Sequence, residues 1–193
     1  MQGLRQHGKG RCAKPPCLWL RLSPSGGDRM VQKNAYPLRT PDALQTAVAT
    51  VPLVEIHYSF PRLHFADRLN SSQACHESIR NLYDPNKIAH KEFFYLVLLN
   101  NSLRCIGYAL IGVGTTSSVT VNVKEILQLA LLSNATHIIL SHNHPSGSTK
   151  PSPDDITLTQ KVKKAAALFD VELADHIIIT HETYVSLADE GLL

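Results

Sequence analysis

The sequence predicts an α/β fold, a mixed sheet sandwiched by helices, and three observations carry that prediction. Residues 93–99, Phe-Phe-Tyr-Leu-Val-Leu-Leu, form an unbroken apolar run too short for a helix and rich in strand formers, as a strand covered on both faces requires. A capped helical segment from Asn122 to Leu132 leads directly into the short apolar run His137–Leu140. A second capped helix after Ser152 precedes a strand at Ile177–Thr180, so strand and helix alternate through the second half.

Each element follows from local signals. Thr40-Pro41-Asp42 supplies a helix cap, a proline at the first helical position and an early acid, so a short helix runs to about Ala49. Val54, Ile56 and Tyr58 alternate with Glu55, His57 and Ser59, the period of a half-buried strand. Ser71 or Ser72 caps a helix to about Leu82, which Asp84-Pro85 ends. After the strand at 93–99, the turn-prone Asn100-Asn101-Ser102 leads into a second strand, about Leu103–Ile111, that pairs with it as a hairpin. Gly112-Val113-Gly114 then loosens the chain. Asn122 with Glu125 three places on makes a capping box, and Ser133-Asn134 closes that helix. Ser152 caps the next helix with Pro153 in its first position, and Leu158, Val162, Ala165 and Phe169 define its apolar face.

With 193 residues, 44% hydrophobic and 18% charged, the chain suits one domain with a filled core and is too apolar for a disordered segment. No run approaches the ~20 apolar residues of a membrane span, so no membrane partner is expected. Cys12, Cys17, Cys75 and Cys105 stand apart with no secretory signal ahead of them, which points to a reducing cytoplasm and not to a disulfide scaffold. The charge is uneven. The whole chain carries a formal +3, yet within 1–29 six basic residues (Arg5, Lys9, Arg11, Lys14, Arg21, Arg29) face only Asp28, a formal +5 that leaves −2 for 30–193. Residues 1–39 therefore read as a basic flexible leader without strand or helix periodicity, 40–90 as an N-terminal docking subdomain, and 91–193 as the domain that carries chemistry. Because Met30 stands where the leader gives way to ordinary sequence, 1–29 is expected to be a dispensable tail or an over-extended start.

His142 and His144 are two apart at the end of a buried strand. Side chains two apart in an extended chain point the same way, so two imidazoles can converge on one ion. Asp155, eleven residues after His144, is the third residue of the helix that Ser152 caps, and its carboxylate can turn back to the strand end. Two nitrogens and one oxygen are the ligand set of an open zinc site with a fourth position for water. Such a metal lowers the pKa of its water to about 7 and polarises a carbonyl, the chemistry of amide hydrolysis. A proton acceptor that is not itself a ligand is also needed, and the best-placed carboxylate is Glu92, which opens the buried strand.

Glu92, then His142-Asn143-His144-Pro145-Ser146-Gly147, then Pro151-Ser152-Pro153-Asp154-Asp155 resembles the JAMM pattern of the Jab/MPN metalloproteases: a distant glutamate, H-x-H, seven residues, serine, two residues and aspartate. The His-Asn-His-Pro-Ser-Gly wording, Asn134-Ala135 ahead of the strand, and Asp175-His176-Ile177-Ile178-Ile179 resemble the RadC branch, over about Glu92 to Leu193. The resemblance implies a three-layer α/β/α sandwich of the cytidine-deaminase-like Jab/MPN type. It also implies one zinc held by His142, His144 and Asp155, Glu92 as acid and base, and Ser152 steadying a tetrahedral oxyanion. The implied activity is zinc-dependent hydrolysis of a peptide or isopeptide bond by metal-activated water. RadC proteins also carry a helix-hairpin-helix-like region ahead of this domain; no glycine hairpin of that kind occurs in 1–60, so family-level links to DNA repair transfer poorly.

Two rival functions use the same residues. One is a nucleic-acid-processing or repair factor with the same metal centre, holding DNA through the basic leader. The other is a non-catalytic interaction module that has lost the metal, against which the presence of both histidines, Ser152 and Asp155 speaks. Plainer readings also exist. Asp155 can complement the helix dipole and complete a capping box with Ser152, and Lys91 can neutralise Glu92. Asp175 and His176 begin a strand beside His137–Leu140, where they either support a ligand or form a structural pair. The contiguous His-Asn-His is not an HNH nuclease unit, whose residues are spread over ββα, and Gly147-Ser148-Thr149-Lys150 lacks the leading glycine of a phosphate loop. Cys75 and Cys105 read as small buried hydrophobes.

Overall fold

The computed structural model describes residues 19–23, 53–57 and 63–193. β1 (Trp19–Ser23) pairs antiparallel with β2 (Leu53–His57), with Leu20 opposite Ile56 and Leu22 opposite Val54. The alternation after Leu53 thus marks a strand, whereas β1 corrects the expectation of a leader free of regular structure. An extended segment becomes a strand when a partner's N–H and C=O groups meet it, a non-local condition that periodicity within 1–39 does not report. The helix expected over Thr40–Ala49 lies outside the described residues, as do Cys12 and Cys17.

Residues 63–193 build a five-stranded mixed sheet. Its strands are β3 (Phe93–Leu99), β4 (Cys105–Val113), β5 (His137–Asn143), β6 (Glu172–Ile179) and β7 (Tyr184–Ser186). They lie in the order β4-β3-β5-β6-β7, with β5 and β6 parallel and the other pairs antiparallel. The apolar run becomes β3, flanked on both edges and buried in six of its seven residues. β4 starts two residues later than expected because Asn100 shapes the turn: its Oδ1 accepts from Ser102 N at 2.9 Å and from Arg104 N at 3.1 Å. β5 runs to Asn143, which places His142 inside the sheet, and β6 begins at Glu172, not Ile177. Both extensions carry polar residues whose partners lie on other elements, so an apolar run underestimates the strands.

Helices cover both faces. α1 (Ser72–Ile79), where Ser71 Oγ accepts from Ala74 N at 3.2 Å, continues as a 3₁₀ turn over Arg80–Leu82. Its Cys75 and Ile79, with Tyr83 and Ile88 beyond, share a core with Tyr95, Val97, Leu99, Ile139, Ile177 and Ile179. That shared core corrects the boundary drawn at residue 90: from residue 63 onward, the expected docking subdomain is part of the same domain as the sheet. α2 (Val123–Leu132) and α3 (Pro153–Ala167) pack against one another, and α3 meets β6 on the opposite face, where Thr159 reaches His176. The layers are α/β/α.

Helix ends follow their capping chemistry with one correction. Asn122 caps α2 by accepting from Lys124 N at 3.1 Å, one position before the donor that a capping box with Glu125 would use. Asn134 and Asp170, at φ of 54° and 55°, turn the chain out of α2 and α3, and Ala135 N bonds Ala130 O at 3.0 Å behind the first of them. α3 buries Thr159, Val162 and Ala166, and Phe169 lies beyond its end, 51% exposed, which corrects the expected apolar face. A hydrophobic count passes over Thr159 because its hydroxyl is satisfied inside the fold. The Cys75 and Cys105 thiols are pushed by burial up to about 12 and about 11, as suits small hydrophobes. Among the described residues, no helix is long and apolar enough to cross a membrane.

Candidate metal centre

The antiparallel register of β3 and β5 sets Phe94 opposite His142. Two residues back from Phe94 and two beyond His142 stand Glu92 and His144, and the period of two brings all four to one face at one end of the sheet. Past His144 the chain reverses: Gly147 N bonds His144 O at 3.1 Å, Gly147 takes a φ of 80°, and the Ser148 carbonyl returns to 2.8 Å from His144 Nδ1. Asp155 enters from the first turn of α3.

His142 Nε2 and His144 Nε2 are 3.0 Å apart, Asp155 Oδ1 is 3.1 Å from the first, and Asp155 Oδ2 is 3.5 Å from the second. One ligand atom from each of the three lies within 4.8 Å of the others, so the group could hold a metal ion. A carbonyl only accepts, so His144 Nδ1 donates to Ser148 O, and the neutral ring then presents a lone pair at Nε2. Ring nitrogens and carboxylate oxygens crowded in this way repel one another unless a proton or a cation lies between them. The hydrogen bond to Asp155 raises the His144 pKa, against the effect of burial. Burial opposes charge on Asp155 too, but the His142 and His144 imidazoles outweigh it and hold the carboxyl well below the ordinary carboxylate range. Two imidazoles and one carboxylate suit a divalent cation of borderline softness.

The plain reading of Asp155 holds alongside. Asp155 N donates to Ser152 Oγ at 3.1 Å and Ser152 N donates to Asp155 Oδ2 at 2.7 Å, a complete capping box. The box orients the carboxylate, leaving Oδ1 toward His142. Ser152 Oγ also donates to Asp155 Oδ2 at 2.6 Å, so its single hydroxyl proton is engaged in this arrangement.

Glu92 is buried, 7% exposed, and held by backbone on one side: its N donates to Thr115 O and its O accepts from Gly114 N, both at 2.8 Å. Burial raises its pKa, Asp155 adds to that, and His142 and His144 oppose it. Lys91 does not serve as its counter-ion here; the ammonium lies over the Phe93 ring, 5.9 Å from the centroid. Glu92, His144, Ser152 and Asp155 line an open cleft of about 450 Å³ together with the loop 116–119. Gly114 lets that loop fold back, since a Cβ there would collide with the Ser118 carbonyl oxygen.

The family model described as RadC-like JAB domain matches residues 69–192, more than half of the chain. The chain belongs to the RadC-like JAB domain family. Similar curated proteins include a UPF0758 protein of Flavobacterium johnsoniae, 42% identical over 106 residues that make up 55% of this chain and 46% of that protein. UPF0758 proteins of Coprothermobacter proteolyticus and Clostridium acetobutylicum are 43% and 39% identical over 103 and 104 residues, 53% and 54% of this chain and 44% and 45% of theirs. The chain spans about half the length of the curated relatives it matches.

Within the RadC-like JAB domain, Asn143 is a residue for which sequence reading assigned no role. It points to the face opposite His142: its Nδ2 donates to Ile88 O at 2.6 Å and Lys91 O at 2.8 Å, and its Oδ1 accepts from Phe93 N at 2.7 Å. It therefore clamps the backbone on either side of Glu92 to β5. Its place between two candidate ligands on a strand was the available signal. Asp175 and His176, read together from sequence, part for the same reason. Asp175 accepts from Ser186 Oγ at 2.7 Å and Ala188 N at 3.1 Å, whereas His176 Nε2 lies 2.9 Å from His142 Nδ1.

Proposed function

We propose that this RadC-like JAB domain is a zinc-dependent metallohydrolase that cleaves a peptide or isopeptide bond. The observation that carries the reading is three metal-donor side chains gathered together, His142, His144 and Asp155, of which His144 and Asp155 line an open cleft with the buried carboxylate Glu92. A divalent ion held there would polarise a substrate carbonyl and lower the pKa of a water molecule. The chain's own residues supply the rest. Glu92, with a pKa raised above that of an ordinary glutamate, accepts a proton from the attacking water and returns it to the leaving amine. Ser152 Oγ, released from Asp155, donates to the oxygen that gains charge in the tetrahedral intermediate. The cleft lining sets Glu92, Asp154 and Asp155 against a single lysine, Lys150, so it offers no basic excess to hold a phosphate backbone. A neutral amide is the better match.

The test combines elemental analysis with hydrolysis of peptide and isopeptide substrates, run beside single-stranded and duplex DNA. About one zinc per chain is expected. Glu92→Gln should keep that zinc and lose roughly 10²–10⁴ of turnover. Full activity in Glu92→Gln removes Glu92 from the mechanism, and cleavage of DNA without cleavage of amides replaces the reading with the nucleic-acid one.

A further inference from the structure

The orientation of the hydrogen bonds behind His142 can be read from α3 inward. Thr159 is fully buried and donates its hydroxyl proton to the Asp155 carbonyl at 2.6 Å, since a carbonyl has none to give. Its oxygen is left as an acceptor, so in the 2.6 Å contact with His176 Nδ1 the ring nitrogen is the donor. A neutral imidazole has one N–H, which leaves a lone pair on His176 Nε2. Across 2.9 Å that lone pair faces His142 Nδ1, which must therefore carry the proton. His142 Nε2 is left with its lone pair toward His144 Nε2 and Asp155 Oδ1, at 3.0 and 3.1 Å. Thr159, His176 and His142 are all buried, at 0, 0 and 1% exposure, so bulk water does not compete for these bonds. The Phe94 ring stacks on His142 and meets His176 edge-on, with centroids 5.8 and 5.7 Å away, which restrains both rings.

We infer that Thr159 and His176 are positioning residues that lock His142 in the tautomer whose Nε2 can bind a metal ion. The chain runs one way because it ends on a carbonyl. Without the Thr159 hydroxyl, His176 Nδ1–H has no acceptor at that position, and His176 gains by placing its proton on Nε2, toward His142. His142 then accepts at Nδ1 and carries its own proton on Nε2, where it obstructs the ligand position. His144 reaches the same tautomer by a different route, through the Ser148 carbonyl.

The inference rests on the metal reading above for its consequence, and on hydrogen-bond direction for its cause, so two measurements separate them. Long-range proton–nitrogen NMR on the metal-free chain at alkaline pH should show N–H at Nδ1 of both His142 and His176; a proton on His142 Nε2 overturns the inference. In zinc titrations, Thr159→Val should bind about 10–100-fold more weakly than wild type, whereas Thr159→Ser, which keeps the hydroxyl, should stay within about threefold. A folded Thr159→Val chain with wild-type zinc affinity also overturns it. If Thr159→Val does not fold, the wild-type tautomer spectrum decides. Wild-type protein that binds no zinc sinks the hydrolase reading, while the spectrum still decides the tautomer.

Discussion

The two faces of β5 put polar side chains to opposite uses. Toward α3, His142 and, just past the strand, His144 direct ring nitrogens at Asp155, and His144 and Asp155 line an open cleft. Toward α1, Ser141 and Asn143 bond Tyr83 Oη at 2.9 Å and the backbone of Ile88, Lys91 and Phe93. β6 repeats the division with His176 and Asp175. Burial and polarity alone therefore do not mark a site. On one face the polar groups find complementary donors and acceptors inside the protein and fasten it. On the other, His142 Nε2, His144 Nε2 and Asp155 Oδ1 converge with no other donor beside them among the described residues, which calls for a proton or an ion.

The most severe way to break this contrast is His142→Ala, which should reduce zinc from about one ion per chain to background in elemental analysis. Zinc retained at wild-type affinity would mean that the α3 face is not the ligand face. Asn143→Ala attacks the other face. It removes three hydrogen bonds, one buried and two partly buried, and strands two carbonyls and an N–H, so denaturant unfolding should show a loss of about 3–5 kcal/mol with the three candidate ligands untouched. A loss under about 1 kcal/mol would show that Asn143 fastens nothing.

Asp175→Asn sharpens the comparison within β6. Its carboxylate accepts from Ser186 Oγ and Ala188 N on the α1 face, so the expected cost is about 2 kcal/mol of stability with zinc affinity unchanged. A zinc defect equal to that of Thr159→Val would erase the distinction between the faces.

The smallest effect is one of pH. The His144 pKa is raised above the ordinary 6.5, so a proton must leave before a metal binds, and zinc affinity should fall about tenfold for each unit below the raised value. In the metal-free chain the sign reverses. The stability that His144 gains from Asp155 is fully present below 6.5 and is lost as pH rises through the raised pKa. The difference in unfolding midpoint between metal-free wild type and His144→Gln should therefore shrink over that window; a difference that grows contradicts the pairing.

Much of the site was legible because its signals are short in sequence. The His-x-His parity, the Ser152 cap and the third-residue aspartate all follow from strand and helix periods over fewer than four residues each. Glu92 lies fifty residues upstream of His142, and only its place at the head of the buried strand and the family spacing pointed to it; its backbone partners, Gly114 and Thr115, lie just past β4, and Asn143 holds the neighbouring Phe93 N. The face of α3 was misjudged because Thr159 is polar by type and buried through its bonds to His176 and the Asp155 carbonyl. β1 escaped because its partner lies thirty residues and more along the chain.

By itself, then, the sequence determined the local grammar: which segments are strands and capped helices, and which side chains of one strand share a face, since these depend on neighbours a few residues apart. Tertiary structure alone decided which polar groups are satisfied. Hydrogen-bond direction, tautomer and pKa depend on the atom across the gap, and in this fold that atom belongs to another strand or helix.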